Sequence, residues 1–155
     1  MIIRQAAKED IPELERILYQ VHDVHACGRP DLFMKGQKKY SGEELEQIIE
    51  KDEAVIFVCE DEGAVCGYVF CFDRTFPGNA SMYPDKMLYI DDLCVDEKCR
   101  GKNIGRALCE HVKEYASECG YDRITLNVWE INPGARSFYD ELGFSPLKTT
   151  MEMKL

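Results

Sequence analysis

Seven consecutive residues, Arg100-Gly101-Lys102-Asn103-Ile104-Gly105-Arg106, are suited to holding a phosphorylated ligand. Gly101 and Gly105 let the backbone come close to a bound group, and Arg100, Lys102 and Arg106 bring positive charge. Ile104, Leu108, Val112 and Ala116 follow at helical spacing, so the loop opens a helix. Free N–H groups and the positive end of the helix dipole meet there, which makes a cradle for a pyrophosphate. Neither Gly-x-x-x-x-Gly-Lys-Ser/Thr nor Gly-x-Gly-x-x-Gly is present, so this is neither of those two phosphate loops. The plainer alternative is a solvated basic turn in an acidic protein.

Three further groups of residues could do chemistry. Asn132-Pro133 opens a second helix, with Asn132 as N-cap, and Tyr139 lies two turns on with a phenol that can donate a proton. A packed aromatic is the alternative for Tyr139. Asp91 and Asp92 are adjacent carboxylates on a predicted strand, and strand alternation lets only one of them face a cleft. His22 and His25 share a helix face and could bind a metal with Asp31. They also continue the apolar rows through Leu18 and Val21, so packing histidines are expected and a metal is not. Trp129 either lines a cleft or sits in the core.

The elements that must position these groups are readable from periodicity. A short strand over 2–5 precedes a helix opened by Asp10, which fades by Gly28. Ser41-Gly42-Glu43-Glu44 is a capping box for a second helix to about Lys51. Strands over 54–60 and 64–73 form a hairpin around Asp61-Glu62-Gly63, and a third runs over 87–95. The helix from Ile104 stops at Gly120, a strand covers 123–129, the Asn132 helix closes at Gly143, and 148–155 is a last strand. The order β-α-α-β-β-β-α-β-α-β predicts an α/β (mixed α+β) fold in one domain over 1–155.

Composition narrows the setting. Twenty-nine acidic against nineteen basic residues give a net charge of −10, which argues against nucleic acid and against an anionic membrane surface. No stretch approaches a membrane span, and Met1-Ile2-Ile3-Arg4-Gln5 has no signal-peptide core. The eight cysteines form no Cys-x-x-Cys pair and several lie in apolar runs, so they read as reduced core thiols of a cytoplasmic protein.

Together the Tyr89–Gly105 and Asn127–Phe144 stretches resemble the GNAT superfamily of acetyl-CoA-dependent N-acetyltransferases. The family's Arg/Gln-x-x-Gly-x-Gly/Ala reads Arg100-Gly-Lys-Asn103-Ile-Gly105, and its Asn, Ala, Tyr and Gly-Phe read Asn132, Ala135, Tyr139 and Gly143-Phe144. Asn103 stands where the family usually has Gly, and its side chain could crowd the phosphate. The resemblance implies a mostly antiparallel mixed sheet of six to seven strands with about four helices. It implies acetyl-CoA as co-substrate, bonded along the backbone of Leu93, Cys94 and Val95, held by the 100–106 loop and approached by Asn132, Ala135 and Tyr139. Tyr139 would protonate the departing sulfur. Polyamine acetyltransferases, similar over this stretch, carry an acidic residue at the position of Asp91. Asp91 is therefore the expected base, ahead of Asp92 and Glu130, with a water chain as the alternative. His22, His25, Arg29, Phe33 and Trp129 would line the acceptor site. The expected acceptor is a small cationic amine, and the protein a monomer or homodimer. A protein or peptide acetyltransferase, or a non-catalytic acetyl-CoA sensor, is the alternative.

Overall fold

A computed structural model describes residues 1–155. Strands β1 (Ile2–Gln5), β2 (Val55–Asp61), β3 (Ala64–Asp73), β4 (Met87–Val95) and β5 (Arg123–Leu126) form one sheet in chain order. Helices α1 (Ile11–Gly28) and α2 (Gly42–Glu50) cover one face, while α3 (Ile104–Glu118) covers the other. Helix α4 (Pro133–Glu141) follows β5. The first four strands pair antiparallel, and β4 with β5 parallel. Ser41 caps α2 as its sequence indicates, bonding Glu44 N while Glu44 returns the bond to Ser41 N. The β2–β3 hairpin turns on Glu62 and Gly63, both at positive φ (53° and 79°), which is the twist a tight hairpin requires.

Several expectations are corrected. The sheet has five strands, not six or seven, and 148–155 forms no strand. A strand exists only when its backbone finds a partner, and no backbone hydrogen bond involves a residue after Phe144. Strand β5 also stops at Leu126 rather than Trp129, because its pairing with β4 ends at Ile90↔Leu126. The cysteines divide as well: Cys59, Cys66, Cys71, Cys94 and Cys109 are buried free thiols, whereas Cys27 and Cys119 are exposed.

The core is built in two layers. Leu14, Leu18, Leu45, Val58, Tyr68 and Phe70 fill the α1/α2 side. Val69, Leu88, Ile90, Leu108 and Val112 fill the α3 side. Buried Asp10 ties the first strand to the first helix: its carboxylate accepts from both Arg4 amino groups (2.7 and 2.9 Å) and from Ala7 N (2.8 Å). The Arg4 bond chiefly holds the Asp10 carboxyl below its usual range, against the opposing effect of burial. A depressed carboxyl stabilises the fold above its unfolded pKa near 4, and the contribution fades as pH falls through the lower folded value. Asp10→Ala should therefore lower stability by about 1–3 kcal/mol at pH 7, with the difference from wild type shrinking in acid. Urea unfolding at pH 7 and near pH 3 measures both terms.

Candidate active site

The chemistry is organised where β4 and β5 part. Below Ile90 and Leu126 they are hydrogen-bonded, and beyond that point β4 continues from Asp91 to Val95 without β5 beside it. Asn127 sits at the fork and donates to the Tyr89 hydroxyl at 3.0 Å. The side of β4 that faces β5 is thus free of a strand partner along Asp91, Asp92, Leu93, Cys94 and Val95, an edge on which an extended polar ligand can bond.

A β-bulge lies at the same place. Phe70 pairs with Asp92 and Cys71 with Ile90, so Asp91 is an extra residue in β4. The bulge breaks the strict alternation, and both carboxylates come to the α1/α2 face. Two tyrosines packed on Phe70, Tyr40 stacked (5.6 Å) and Tyr68 edge-on (5.1 Å), each take one of them. Tyr40 donates to Asp91 Oδ2 (2.8 Å), which also pairs with the Lys39 ammonium (2.7 Å). Tyr68 donates to Asp92 Oδ2 (3.0 Å). Asp92 keeps some solvent access, yet its carboxylate is densely surrounded, and burial raises its pKa to about 6. Lys39 and the Tyr68 bond oppose that shift, and the Asp91 charge adds to it. The expectation that only one aspartate can face the cleft side is thereby corrected.

Tyr139 lies on α4, close enough for Asp92 to affect it. Its ring packs edge-on against Phe138 and Phe144. Burial, followed by the fields of Cys109, Asp92 and Cys94, lifts its phenol above the usual tyrosine range. It is protonated throughout the neutral range. Asn132 caps α4, accepting from Ala135 N at 3.0 Å, so both residues hold the helix that carries Tyr139.

The loop before α3 has the expected backbone. Gly101 is at φ +81° with open space around it, and Asn103 is in the left-handed region (φ 59°) at the head of α3. Asn103 makes no capping bond with its side chain, so the helix N–H groups after it are left for a ligand. Gly105 is a close fit for another reason: a Cβ there would come 3.2 Å from Phe138 Cζ, so the ring of α4 packs tightly on this turn of α3. The basic side chains diverge. Lys102 reaches Asp61 (3.0 Å), Arg106 lies 3.7 Å from Glu141, and Arg100 is exposed near Cys94, whose thiol burial pushes up to about 12.

Four of the five expected acceptor-site residues come together. Phe33 meets His25 (5.2 Å), His22 (5.8 Å) and Trp129 (5.2 Å). His22 Nε2 is bonded to the Met34 carbonyl at 2.8 Å, and burial lowers the His25 pKa, with His22 and Lys39 adding to it. Arg29 does not join them. Its guanidinium is taken by Asp31 and Glu152. Glu130 has no bond in the site, and no three His, Cys, Asp or Glu side chains converge to hold a metal. Lys39, Tyr40 and Tyr68 escaped sequence reasoning. Tyr68 could have been found from its parity on β3, but nothing local marks Lys39-Tyr40, which arrive from the α1–α2 connection 51 residues before Asp91.

Comparison with known proteins agrees with this fold. The acetyltransferase (GNAT) family matches residues 18–144. An uncharacterized N-acetyltransferase of Methanocaldococcus jannaschii is 30% identical over 92% of this chain, which spans 59% of that relative's length. A 5-NmdU N-acetyltransferase of Pseudomonas phage PaMx11 is 32% identical over 70% of this chain and 74% of its own. A crystal structure of a Bacillus halodurans protein superposes with a TM-score of 0.95 at 33% identity, covering 100% of this chain and 99% of that one. The chain belongs to the GNAT acetyltransferase family and is an acyltransferase. No helix is long and apolar enough to cross a membrane.

Proposed function

We propose that the protein transfers an acetyl group from acetyl-CoA to a primary amine, with Asp92 as base and Tyr139 as acid. The observation that carries this is the fork between β4 and β5: the carboxylate of raised pKa, Asp92, lies on β4 just beyond it, and its field reaches the protonated Tyr139 phenol on α4. Acetyl-CoA supplies the acetyl thioester. The free α3 N–H groups and the Gly101–Asn103 backbone suit its pyrophosphate, the open β4 edge over Leu93–Val95 suits its pantetheine amides, and Asn132 with Ala135 fixes α4 beside it. A backbone N–H of that edge would polarise the thioester carbonyl.

The incoming amine must be neutral. An amine of pKa about 10.4 is only ~0.04% neutral at pH 7, a cost of roughly 4.6 kcal/mol. Its N–H becomes strongly acidic as the C–N bond forms, so a carboxylate of pKa about 6 can then take the proton. As the C–S bond breaks, the Tyr139 hydroxyl gives its proton to sulfur. We assign the base to Asp92 rather than Asp91 because the Asp91 carboxylate is already engaged by Lys39 and Tyr40. Asp91 instead holds the α1–α2 connection over the site. The His22, His25, Phe33 and Trp129 wall and the Asp91–Asp92 pair on β4 favour a small cationic amine, since aromatic faces and acidic groups both attract cations.

Two measurements test this reading. Acetyl-CoA at ~100 times its dissociation constant should stabilise the fold by about 2.7 kcal/mol, seen as a raised melting temperature that ATP does not match. Acetyl-CoA with a panel of amines should release thiol, fastest with small cationic amines. Absence of both responses at millimolar acetyl-CoA would overturn the proposal. Gly105→Val should abolish the thermal shift, because the branched side chain blocks close approach of a ligand to the backbone there and crowds Phe138.

A further inference from the structure

Two thiols lie in contact at the base of the 100–106 loop. The Cys99 thiol donates to Cys66 Sγ at 2.8 Å, across 33 residues of chain, and both cysteines are free. A disulfide holds its sulfurs about 2.05 Å apart, so a movement of under ~1 Å would join them. Backbone bonds bring the pair together. Asp96 N donates to the Cys66 carbonyl (2.9 Å), and a single 3-10 turn over Glu97–Cys99 then folds Cys99 back onto β3. That turn is firmly held. The buried Asp96 carboxylate accepts from Lys98 N (3.0 Å) and pairs with Arg16, while Cys99 N donates to the Asp96 carbonyl (2.9 Å).

The two thiols differ in access. Cys66 is only 4% exposed, whereas Cys99 is half-buried. Burial, and then the Cys99 contact, push the Cys66 thiol above its usual range. A small oxidant therefore meets Cys99 first, and Cys66 is already placed to attack the oxidised sulfur. An accessible thiol beside a resolving one is the arrangement redox-sensing cysteines need. The chain after Cys99 is the part a new bond would restrain. Gly101, at φ +81°, has open space around it, and Lys102 ties the loop to Asp61 of the β2–β3 hairpin by an ion pair open to solvent (3.0 Å). A link from Cys99 to Cys66 would anchor the loop to the same hairpin a second time, covalently.

We propose that Cys66 and Cys99 are a redox modification site, where a hydroperoxide joins them in a disulfide that fixes the base of the 100–106 loop and a dithiol reopens it. The Cys99 thiolate attacks a peroxide oxygen. The O–O bond breaks, the departing hydroxide takes a proton to become water, and Cys99 is left as the sulfenic acid. The Cys66 sulfur then attacks the Cys99 sulfur. The S–O bond breaks, the S–S bond forms, and the hydroxide leaves with the Cys66 proton as a second water. Two thiols lose two electrons and two protons to one peroxide. The consequence for acetyl-CoA rests on the cradle role proposed above: a loop fixed at its base loses less freedom on binding, so affinity should rise by roughly two- to tenfold.

The full chain, purified in reductant and freed of it, is treated with hydrogen peroxide and mapped by peptide mass spectrometry. Peptides holding Cys66 and Cys99 should be found joined, with a mass lower by two hydrogens, and dithiothreitol should separate them. The joined form should melt higher by on the order of 5–10 °C, and amides of residues 100–105 should exchange more slowly. Cys99→Ser should show neither change. Cys66→Ala should stop at the sulfenic acid of Cys99, trapped by dimedone. A link between other cysteines overturns the proposal, as does oxidation of Cys99 to the sulfinic acid with Cys66 left free. A joined protein with unchanged melting and unchanged loop exchange overturns it too. If Cys66→Ala does not fold, mapping of the wild type and of Cys99→Ser decides. Should acetyl-CoA bind neither form, the cofactor reading fails, while the link, the melting temperature and the loop exchange still decide the redox site.

Discussion

Tyr139→Phe is expected to lower kcat by about 10²–10⁴-fold while acetyl-CoA affinity changes little. The hydroxyl is needed only when negative charge develops on sulfur, so its loss belongs to the transition state rather than to binding. Phenylalanine keeps the ring against Phe138 and Phe144, so the melting temperature should hold. The pH profile is informative because Tyr139 is raised above the usual tyrosine range by burial and by nearby Cys109, Asp92 and Cys94. Wild-type activity should therefore hold past pH 10, beyond where an ordinary tyrosine would have lost its proton. Turnover of the variant within about twofold of wild type would show that another donor protonates the sulfur.

Asp92→Asn should be nearly as damaging, by about 10²–10³-fold in kcat/KM near pH 7. Wild-type kcat/KM, expressed per neutral amine, should fall tenfold per pH unit below an apparent pKa of about 6, as the base becomes protonated, and the variant should lack that limb. Stability should move the other way. A carboxyl whose folded pKa is raised favours the fold below its unfolded value near 4 and loses that advantage as pH climbs through 6. Replacing it with the neutral amide should raise the melting temperature at pH 7 by roughly 2–6 °C. A variant that loses activity while gaining stability separates a base from a structural carboxylate. Asp91→Asn, which only weakens the Lys39 and Tyr40 contacts, should cost less than about tenfold and leave the acid limb in place. If Asp91→Asn removes the limb and Asp92→Asn does not, the base is Asp91.

Much of the site is local and hence legible in order along the chain. The cap at Asn132, the left-handed turn at Asn103, the capping box at Ser41 and the Glu62-Gly63 hairpin all depend on residues within four positions of one another. Backbone conformation and near-neighbour hydrogen bonds decide such features, and residue types report them directly. The same holds for the α1 face that His22 and His25 share, whereas the acceptor wall that joins them to Phe33 was an implication of the family resemblance.

What failed was what depends on a partner distant in sequence. Alternation assigned Asp91 and Asp92 to opposite faces, but a bulge exists only relative to the strand alongside, here Phe70-Cys71 of β3. Which aspartate stays basic was decided by Lys39, Tyr40 and Tyr68, brought in from elsewhere in the fold. Arg29 reads as a ligand-binding cation until Asp31 and Glu152 claim it. The 150–155 pattern is that of a strand, and a strand needs an edge to pair with. By itself the sequence determined the family, the element order as far as α4 and the residue types at the fork. The tertiary structure decided their protonation and their partners, because field, burial and strand register arise only when distant segments meet.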